Sequence, residues 1–380
     1  MRRIAIIAGE ASGDLLAARL IKALLARYPD LQFEGIAGPE MQAAGCRSFF
    51  PMEKLSVMGL VEVLKDLPEL LSIRKQLLQT WRADPPDLFI GVDAPDFNLP
   101  LAAKLHDLGV ATVHYVSPSI WAWRERRIKK IQGHIDLMLT LFPFEVDFYQ
   151  RHGVNARFVG HPLADEIVFD ADKVSARQAL GLHEARNVLA VLPGSRRSEV
   201  KALGAVFLQT AWRLQQQYPD LQIVIPIVRP ALQLWLETIR HKLTPALQVH
   251  YLQGQSRTLM QAADYILLAS GTAALEAMLA GRLMVAAYRV SELTRFLLRV
   301  FRLLKVRYVT LPNHMADEAL IPELLQQQAN VPELLKAMQE LIALPPERQD
   351  YLLKRFQEMQ QQLQGNASKA AADAIVDTFL

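Results

Sequence analysis

Asp93 and Asp96 stand three residues apart in 93-DAPDFN-98, at the end of the apolar run 88-LFIGVD-93. Two carboxylates at the end of a buried strand can hold a substrate hydroxyl and take its proton, a contribution of about 10²–10⁴ in rate. Asp93 ends the run and is the candidate general base. Asp96 either shares that work or caps the helix that follows. A second polar turn, 9-GEASGD-14, places Glu10, Ser12 and Asp14 after the first apolar run, and Ser12 or Asp14 can equally cap the next helix. His161, followed by Pro162, is a lone histidine that either orients its turn or takes part in the chemistry. The histidines show no HxxxH or HExxH spacing, so neither a metal nor any other cofactor is expected.

Two other turns carry the opposite equipment. They are 193-PGSR-196 and the Ser-Gly-Thr turn inside 264-DYILLASGTAALEAMLAG-281. Backbone N–H groups at a helix start lack partners and carry the positive end of the helix dipole, so an anion is welcome there. Gly194 and Gly271 let the backbone come close to a phosphate. Ser195, Ser270 and Thr272 add donors, and Arg196 adds a forked cation. Glu276 lies one turn further on, where a carboxylate can meet the hydroxyls of a sugar attached to the anion. Together these residues point to a nucleotide diphosphate. The plainer alternative is a pair of ordinary strand-to-helix turns, with Arg196 and Arg197 solvated beside Glu199. No GxGxxG follows the first run and no GxxxxGK[ST] occurs, which argues against a standard dinucleotide fold and a P-loop.

The elements that must position these turns alternate. Strands are expected at 4–9, 33–38, 88–93, 111–116, 137–142 and 157–160, with helical patterns between them. A polar stretch over 164–182 reads as a linker with a short helix. Strands then resume at 188–193, 222–228, 248–254, 265–270 and 283–290, and beyond residue 318 the pattern is helical to the end. Such alternation implies parallel sheets with helices on both faces. The expected architecture is α/β, two Rossmann-like doubly wound lobes facing a cleft. The first lobe spans 1–163 and the second 164–345. Helices from 346 to 380 pack on the first lobe of the same chain or of a partner. Ligands of such sheets bind beyond the carboxyl ends of the strands, which is where 9–14, 93–98, 117-SPSIWAW-123, 160-GHP-162, 193–196 and 270–272 fall.

Composition sets outer bounds. The 380 residues are 51% hydrophobic but only 8% aromatic, as for helices packed on parallel strands. A net charge of +3 gives no reason to expect a nucleic-acid partner. Cys46 is the only cysteine, which excludes an internal disulfide and fits a reducing compartment. The first residues, 1-MRRIAIIAGEASGD-14, break off at Glu10 and read as a core strand rather than an export signal. No stretch approaches the ~20 apolar residues of a membrane-spanning helix. Two segments nevertheless suit a lipid surface. One is 55-LSVMGLVEVLKDLPELLSI-73, with Val57, Met58, Leu60, Val61 and Leu64. The other is 295-RFLLRVFRLLKVR-307, where Arg295, Arg299 and Arg302 make a basic stripe beside a Phe/Leu face. The stretch 121-WAWRERRIKK-130 adds aromatic and basic residues. A core helix with a solvated face is the alternative for each.

In this order and at these spacings, GEASGD, GVDAPDFN, HYVSPSIWAW, LPGSRRSEV and LLASGTAALEAM resemble the lipid-A-disaccharide synthases, over nearly the whole chain. The resemblance implies a GT-B glycosyltransferase of bacterial outer-membrane biogenesis. It implies transfer of 2,3-diacylglucosamine from its UDP derivative to 2,3-diacylglucosamine 1-phosphate, giving a β-1,6-linked disaccharide with inversion and without a metal. By the same resemblance Asp93 is the base, and Glu10 and Ser12 lie near the reacting sugars. Arg196, Glu276 and Asn313 (in 308-YVTLPN-313) lie on the nucleotide side. The setting it implies is cytoplasmic, peripheral on the anionic inner face of the bacterial inner membrane, with a homodimer exchanging C-terminal segments as one form of assembly. Ala11 departs from the motif, which often has Thr. The main rival, a UDP-sugar epimerase on the same fold, needs neither an acceptor site nor a lipid-facing surface. A nucleotide-sugar or lipid-binding module without turnover leaves Asp93 and Asp96 unexplained.

Overall fold

A computed structural model describes residues 3–55, 60–121, 125–289 and 307–380, with 60–66 and 125–126 described as backbone alone. The chain forms two units, Met1–Asp165 with Leu363–Leu380, and Glu166–Gln362.

Unit one contains strands β1 (Arg3–Ala8), β2 (Gln32–Ala37), β3 (Cys46–Pro51), β4 (Leu88–Val92), β5 (Ala111–Tyr115), β6 (Leu137–Thr140) and β7 (Ala156–Phe158). Its helices are α1 (Ala11–Leu25), α2 (Pro39–Ala43), α3 (Leu60–Ala83), α4 (Pro95–His106), α5 (Pro143–Arg151) and α6 (Pro162–Glu166), the last of which runs across the boundary. The strands are all parallel, in the order β3-β2-β1-β4-β5-β6-β7. Side chains alternate across a strand, and β1 shows the result. Ile4, Ile6 and Ala8 join one core with α1, whereas Ala5 and Ile7 join the other with Leu77 and Trp81 of α3 and Leu101 of α4. A sheet covered on both faces needs such continuous apolar strands.

Unit two contains β8 (Val188–Leu192), β9 (Gln222–Ile227), β10 (Val249–Gln253), β11 (Tyr265–Ala269), β12 (Leu283–Tyr288) and β13 (Glu323–Leu325), again all parallel, in the order β10-β9-β8-β11-β12-β13. Its helices are α7 (Lys173–Ala179), α8 (Arg197–Gln217), α9 (Pro230–Leu243), α10 (Ser256–Ala262), α11 (Thr272–Leu279), α12 (Leu311–Ala316), α13 (Val331–Ile342) and α14 (Pro346–Leu363). In each sheet the strand order reverses beside the first strand of the unit, at β1/β4 and at β8/β11. Such a reversal opens a crevice beyond the carboxyl ends, where α/β proteins bind ligands.

Several expectations need correction. The edge strands β3 and β13 carry too little apolar alternation to stand out, and β13 interrupts what reads as an unbroken helical stretch. The chain rejoins unit one at Leu363 and not at Pro346, because α14 belongs to unit two and only α15 (Ala367–Phe379) packs on α1. Three backbone N–H groups, of Gly365, Asn366 and Ala367, donate to the Asp165 carboxylate at 3.0–3.2 Å and fix that return. The polar stretch 164–182 is not a loose linker. The buried Arg177 donates to the Ala262 carbonyl and to Asp264, and the buried Arg282 donates to the Ala171 carbonyl at 2.7 Å and to Asp170. No helix among the described residues is long and apolar enough to cross a membrane.

Candidate active site

The loops after β1 and β4 touch at the reversal of unit one. A Cβ on Gly9 would lie 2.8 Å from the Cβ of Ala94, so only glycine allows the contact. The β4 strand stops one residue before Asp93, because Asp93 (φ 50°) and Ala94 (φ 42°) both turn into the left-handed region that side chains avoid. The Asp93 N–H donates to the Tyr115 carbonyl at 2.8 Å, and its own carbonyl accepts from Asn98 Nδ2 at 2.8 Å. The Asp93 carboxyl is half-buried at the rim. Burial raises its pKa above the ordinary range, and the Ala94 N–H pulls part of the way back. A carboxylate raised toward neutrality is a better proton acceptor, as a general base requires.

The neighbouring acids separate. Asp96 is 81% exposed and pairs with Arg127 at 3.2 Å; α4 has no side-chain cap, so Asp96 is not its cap. Glu10 and Ser12 lie exposed at the start of α1, on the same rim as Asp93. Asp14 is buried and caps a helix other than its own. It accepts from the N–H groups of Gly38 (3.0 Å), Glu40 (2.9 Å) and Met41 (3.0 Å) at the start of α2. His161 is buried in its turn, its N–H on the Leu363 carbonyl at 2.8 Å and its Nδ1 accepting from the Leu163 N–H at 3.2 Å.

A carboxyl that sequence reading passes over is Glu145, only 3% exposed, on α5. It accepts from Trp121 Nε1 at 3.1 Å and from the Phe142 N–H at 3.1 Å, and bonds Ser117, which is 2.9 Å from Tyr149 Oη. Burial drives its pKa up to about 7 against those donors. The network fixes the 117–121 loop as it leaves β5, next to the strand that leads into Asp93. The signal in the sequence was the Trp121 indole in an apolar loop, which needs an acceptor once buried.

In unit two, a cleft of about 520 Å³ opens at the β8/β11 reversal, lined by Gly194, Ser195, Arg196, Ser270, Gly271, Thr272 and Glu276. The two turns singled out in the sequence therefore share one cavity. Their helix starts differ. At α8 the Glu199 carboxylate accepts from the N–H groups of Ser195 (3.0 Å) and Arg196 (3.2 Å) and lies 3.7 Å from Arg196 Nη1. Gly194 (φ 113°) is required there, because a Cβ would come within 2.5 Å of Glu199. At α11 the N-cap is Gly271 and no side chain caps the first turn. Arg196 itself is 72% exposed over the cleft. Glu276 is half-buried, held at 3.3 Å by Arg257 Nε, whose Nη1 reaches Glu166 at 2.9 Å. Burial raises its pKa and the guanidinium opposes the rise.

Asn313 does not line this cleft. It is buried, donating to the Ile321 carbonyl (2.9 Å) and to Glu323 (2.9 Å) and accepting from the Ile321 N–H (2.9 Å), so its amide fastens the loop before β13. Of the lipid-contact candidates, Val57, Met58, Arg295, Arg299 and Arg302 lie outside the described residues. Leu60, Val61 and Leu64 are described only as backbone of α3. The stretch 121–130 is described in part, with Arg127 on Asp96.

Comparison with known proteins places the fold and the family. The likeness to solved structures runs over nearly the full length of both partners. A Staphylococcus aureus MnaA–UDP co-structure gives a TM-score of 0.67 at 14% identity, covering 99% of this chain and 96% of that one. A UDP-GlcNAc 2-epimerase from Neisseria meningitidis gives 0.65 at 12%, covering 100% of each chain. At such identities the likeness shows the fold alone, the two Rossmann-like lobes of GT-B proteins. Sequence relatives are nearer. A lipid-A-disaccharide synthase of Xanthomonas campestris pv. campestris is 49% identical over 376 residues, 99% of this chain and 86% of that protein. The enzyme of that name from Pseudoalteromonas translucida is 48% identical over 375 residues, 99% of this chain and 97% of its own. The family model described as lipid-A-disaccharide synthetase matches residues 4–376. The chain belongs to the lipid-A-disaccharide synthase family of glycosyltransferases.

Proposed function

We propose that the chain joins UDP-2,3-diacylglucosamine to 2,3-diacylglucosamine 1-phosphate, releasing UDP and the β-1,6 disaccharide 1-phosphate with inversion. The observation that carries this reading is the division of groups between the two strand-order reversals: a raised carboxyl at β1/β4, and unpaired helix N–H groups with a cation at β8/β11. Asp93 takes the proton of the acceptor's 6-hydroxyl as that oxygen attacks the anomeric carbon. The bond to the diphosphate breaks on the opposite face, and UDP leaves with the electron pair. The charge that develops on it meets the start of α11 and Arg196, donors already in place before the reaction. Glu276, steadied by Arg257, accepts from the ribose hydroxyls. Glu10 and Ser12 flank the acceptor. No step calls for a metal.

Both substrates carry acyl chains, so the enzyme would work at the anionic inner-leaflet surface. Leu67 and Leu71, 41% and 45% exposed on successive turns of α3, extend the apolar 55–73 segment in the way such a contact needs. Co-sedimentation with anionic vesicles measures it. Exchange of α15 between two copies would make a homodimer with the contacts seen here within one chain, and mass measurement in solution decides that.

The test is an assay with the two purified substrates. Disaccharide and UDP should appear together, and only when the acceptor is present, whereas an epimerase needs no acceptor. Asp93→Asn should lower turnover by about 10²–10⁴ while leaving UDP affinity unchanged. Normal turnover in that variant would remove Asp93 from the role.

A further inference from the structure

Asn98 is completely buried, one turn into α4. Its Nδ2 donates to the Asp93 carbonyl at 2.8 Å and sits 3.4 Å from the Val92 carbonyl and 3.5 Å from the Ile7 carbonyl. One amide thus reaches the ends of both strands that border the reversal. The backbone it holds is unusual. Asp93 and Ala94 are successive residues with positive φ, neither a glycine, and α4 starts from Ala94 without a side-chain cap. Such a conformation persists only where the surroundings over-determine it. Here the Asp93 residue is fixed from both sides, its N–H on the Tyr115 carbonyl and its carbonyl on Asn98.

The space for Asn98 is made by Gly91. A Cβ there would lie 2.8 Å from Asn98 Cβ, 3.1 Å from Asn98 Cγ and 3.2 Å from His114 Nδ1. His114 is fully buried, and neither of its ring nitrogens has a hydrogen-bond partner among the described residues. Burial holds its pKa down to about 4, so the ring is neutral in the working range and brings no positive charge beneath the base.

We propose that Asn98 is the positioning residue of the base: by holding the Asp93 carbonyl it keeps the left-handed turn that presents the Asp93 carboxyl half-buried at the rim. This rests on the assignment of Asp93 above. Asn98 touches no substrate and acts through Asp93. A helix-to-strand tie with no catalytic consequence is the competing role, and the two differ in what they do to the acidity of Asp93. Released from its turn, the carboxyl gains solvent and its pKa falls toward the ordinary carboxylate value.

The experiment compares Asn98→Ala, the milder Asn98→Ser, and Gly91→Ala, which displaces the amide without altering it. Each full-length variant is assayed for disaccharide formation, with urea unfolding as the check that unit one is folded and UDP affinity by calorimetry as the check on unit two. Turnover should fall by about tenfold to a hundredfold, the usual consequence of misplacing a reacting group by an ångström. The acid limb of the kcat/KM pH profile should move to lower pH, and UDP affinity should be unchanged. Variants that bind UDP normally and keep either the wild-type rate or the wild-type acid limb overturn the inference. Should Asn98→Ala fail to fold, Asn98→Ser and Gly91→Ala decide on the same two readings. An Asp93→Asn variant run alongside separates the failures. If it turns over normally, the base assignment fails. If it is inactive while the Asn98 and Gly91 variants are normal, only the positioning role fails.

Discussion

The helices α8 and α11 begin at the same rim of unit two, yet only at α8 does a side chain fold back over the entering backbone. Glu199 folds back over the start of α8 and takes the Ser195 and Arg196 N–H groups, whereas Gly271 leaves the first turn of α11 bare. Both turns read alike in sequence, as Gly beside a hydroxyl residue before a helix. The difference lies in the third residue of the helix, Glu in one and Ala in the other. An anion arriving in the cleft meets no side-chain cap at α11, whereas at α8 it competes with Glu199 for the N–H groups leading into the helix. The start of α5 in unit one takes the same device further, since Glu145 folds back in the same way but is buried.

That contrast can be strained at each helix start. The largest effect is expected at α5. Glu145 has a folded pKa of about 7 against an ordinary 4.5, so between those values the folded chain keeps a proton that the unfolded chain has released. Stability from this group is complete below pH 4.5 and lost as pH rises through 7, by about 3 kcal/mol. His114 slopes the other way, because its depressed pKa costs stability as pH falls from 6.5. It is common to wild type and variant and cancels in their difference. Glu145→Gln should therefore gain stability relative to wild type across that window, measured by urea unfolding at a series of pH values. A difference that stays constant with pH would mean that the buried carboxyl does not titrate there.

Next comes α11. Gly271→Asp sets a carboxylate on the bare start, copying what Glu199 does at α8, and should weaken UDP binding about a hundredfold through lost N–H groups and repulsion. An unchanged titration would move the phosphates off α11. Arg196→Ala should cost about tenfold in UDP affinity, less than a buried cation would, because the side chain is mostly solvated. The smallest effect belongs to Glu199→Ala, which frees two N–H groups and should tighten UDP binding about threefold. A loss of affinity instead would make Glu199 a holder of Arg196 rather than a competitor.

What the sequence disclosed follows from what each signal depends on. The central strands are legible because both their faces are buried, and runs such as 4–8 and 188–192 need no tertiary context to be recognised. The strands β3 and β13 are not, since most of their residues are only partly buried and the apolar pattern dissolves. At the site, Asp93 and the two unit-two turns are legible because strand ends and glycine turns are local features. The occupant of α8 was visible too, as Glu199 three residues past Arg196, but its choice of backbone N–H over solvent is a matter of burial and geometry. Asp14 shows the same limit. Its sequence position suggests a cap for α1, and its partners are instead the N–H groups of Gly38, Glu40 and Met41. Asn313 illustrates the reverse, a motif residue whose amide is spent on its own loop.

The return of the chain at Leu363 has a consequence for how the protein is made. Ala371, Ala372, Ala374 and Ile375 of α15 belong to the core that contains Ile4, Ile6 and Leu20. Ile4 and Ile6 of β1 thus wait for α15, made only after all of unit two, before that core can close. Unit two, an uninterrupted stretch from Glu166 to Gln362, has its whole core synthesised earlier. Domains usually complete in the order in which they emerge. Here the order of completion is inverted, and the face of α1 that α15 covers stays without that partner until unit two has been made.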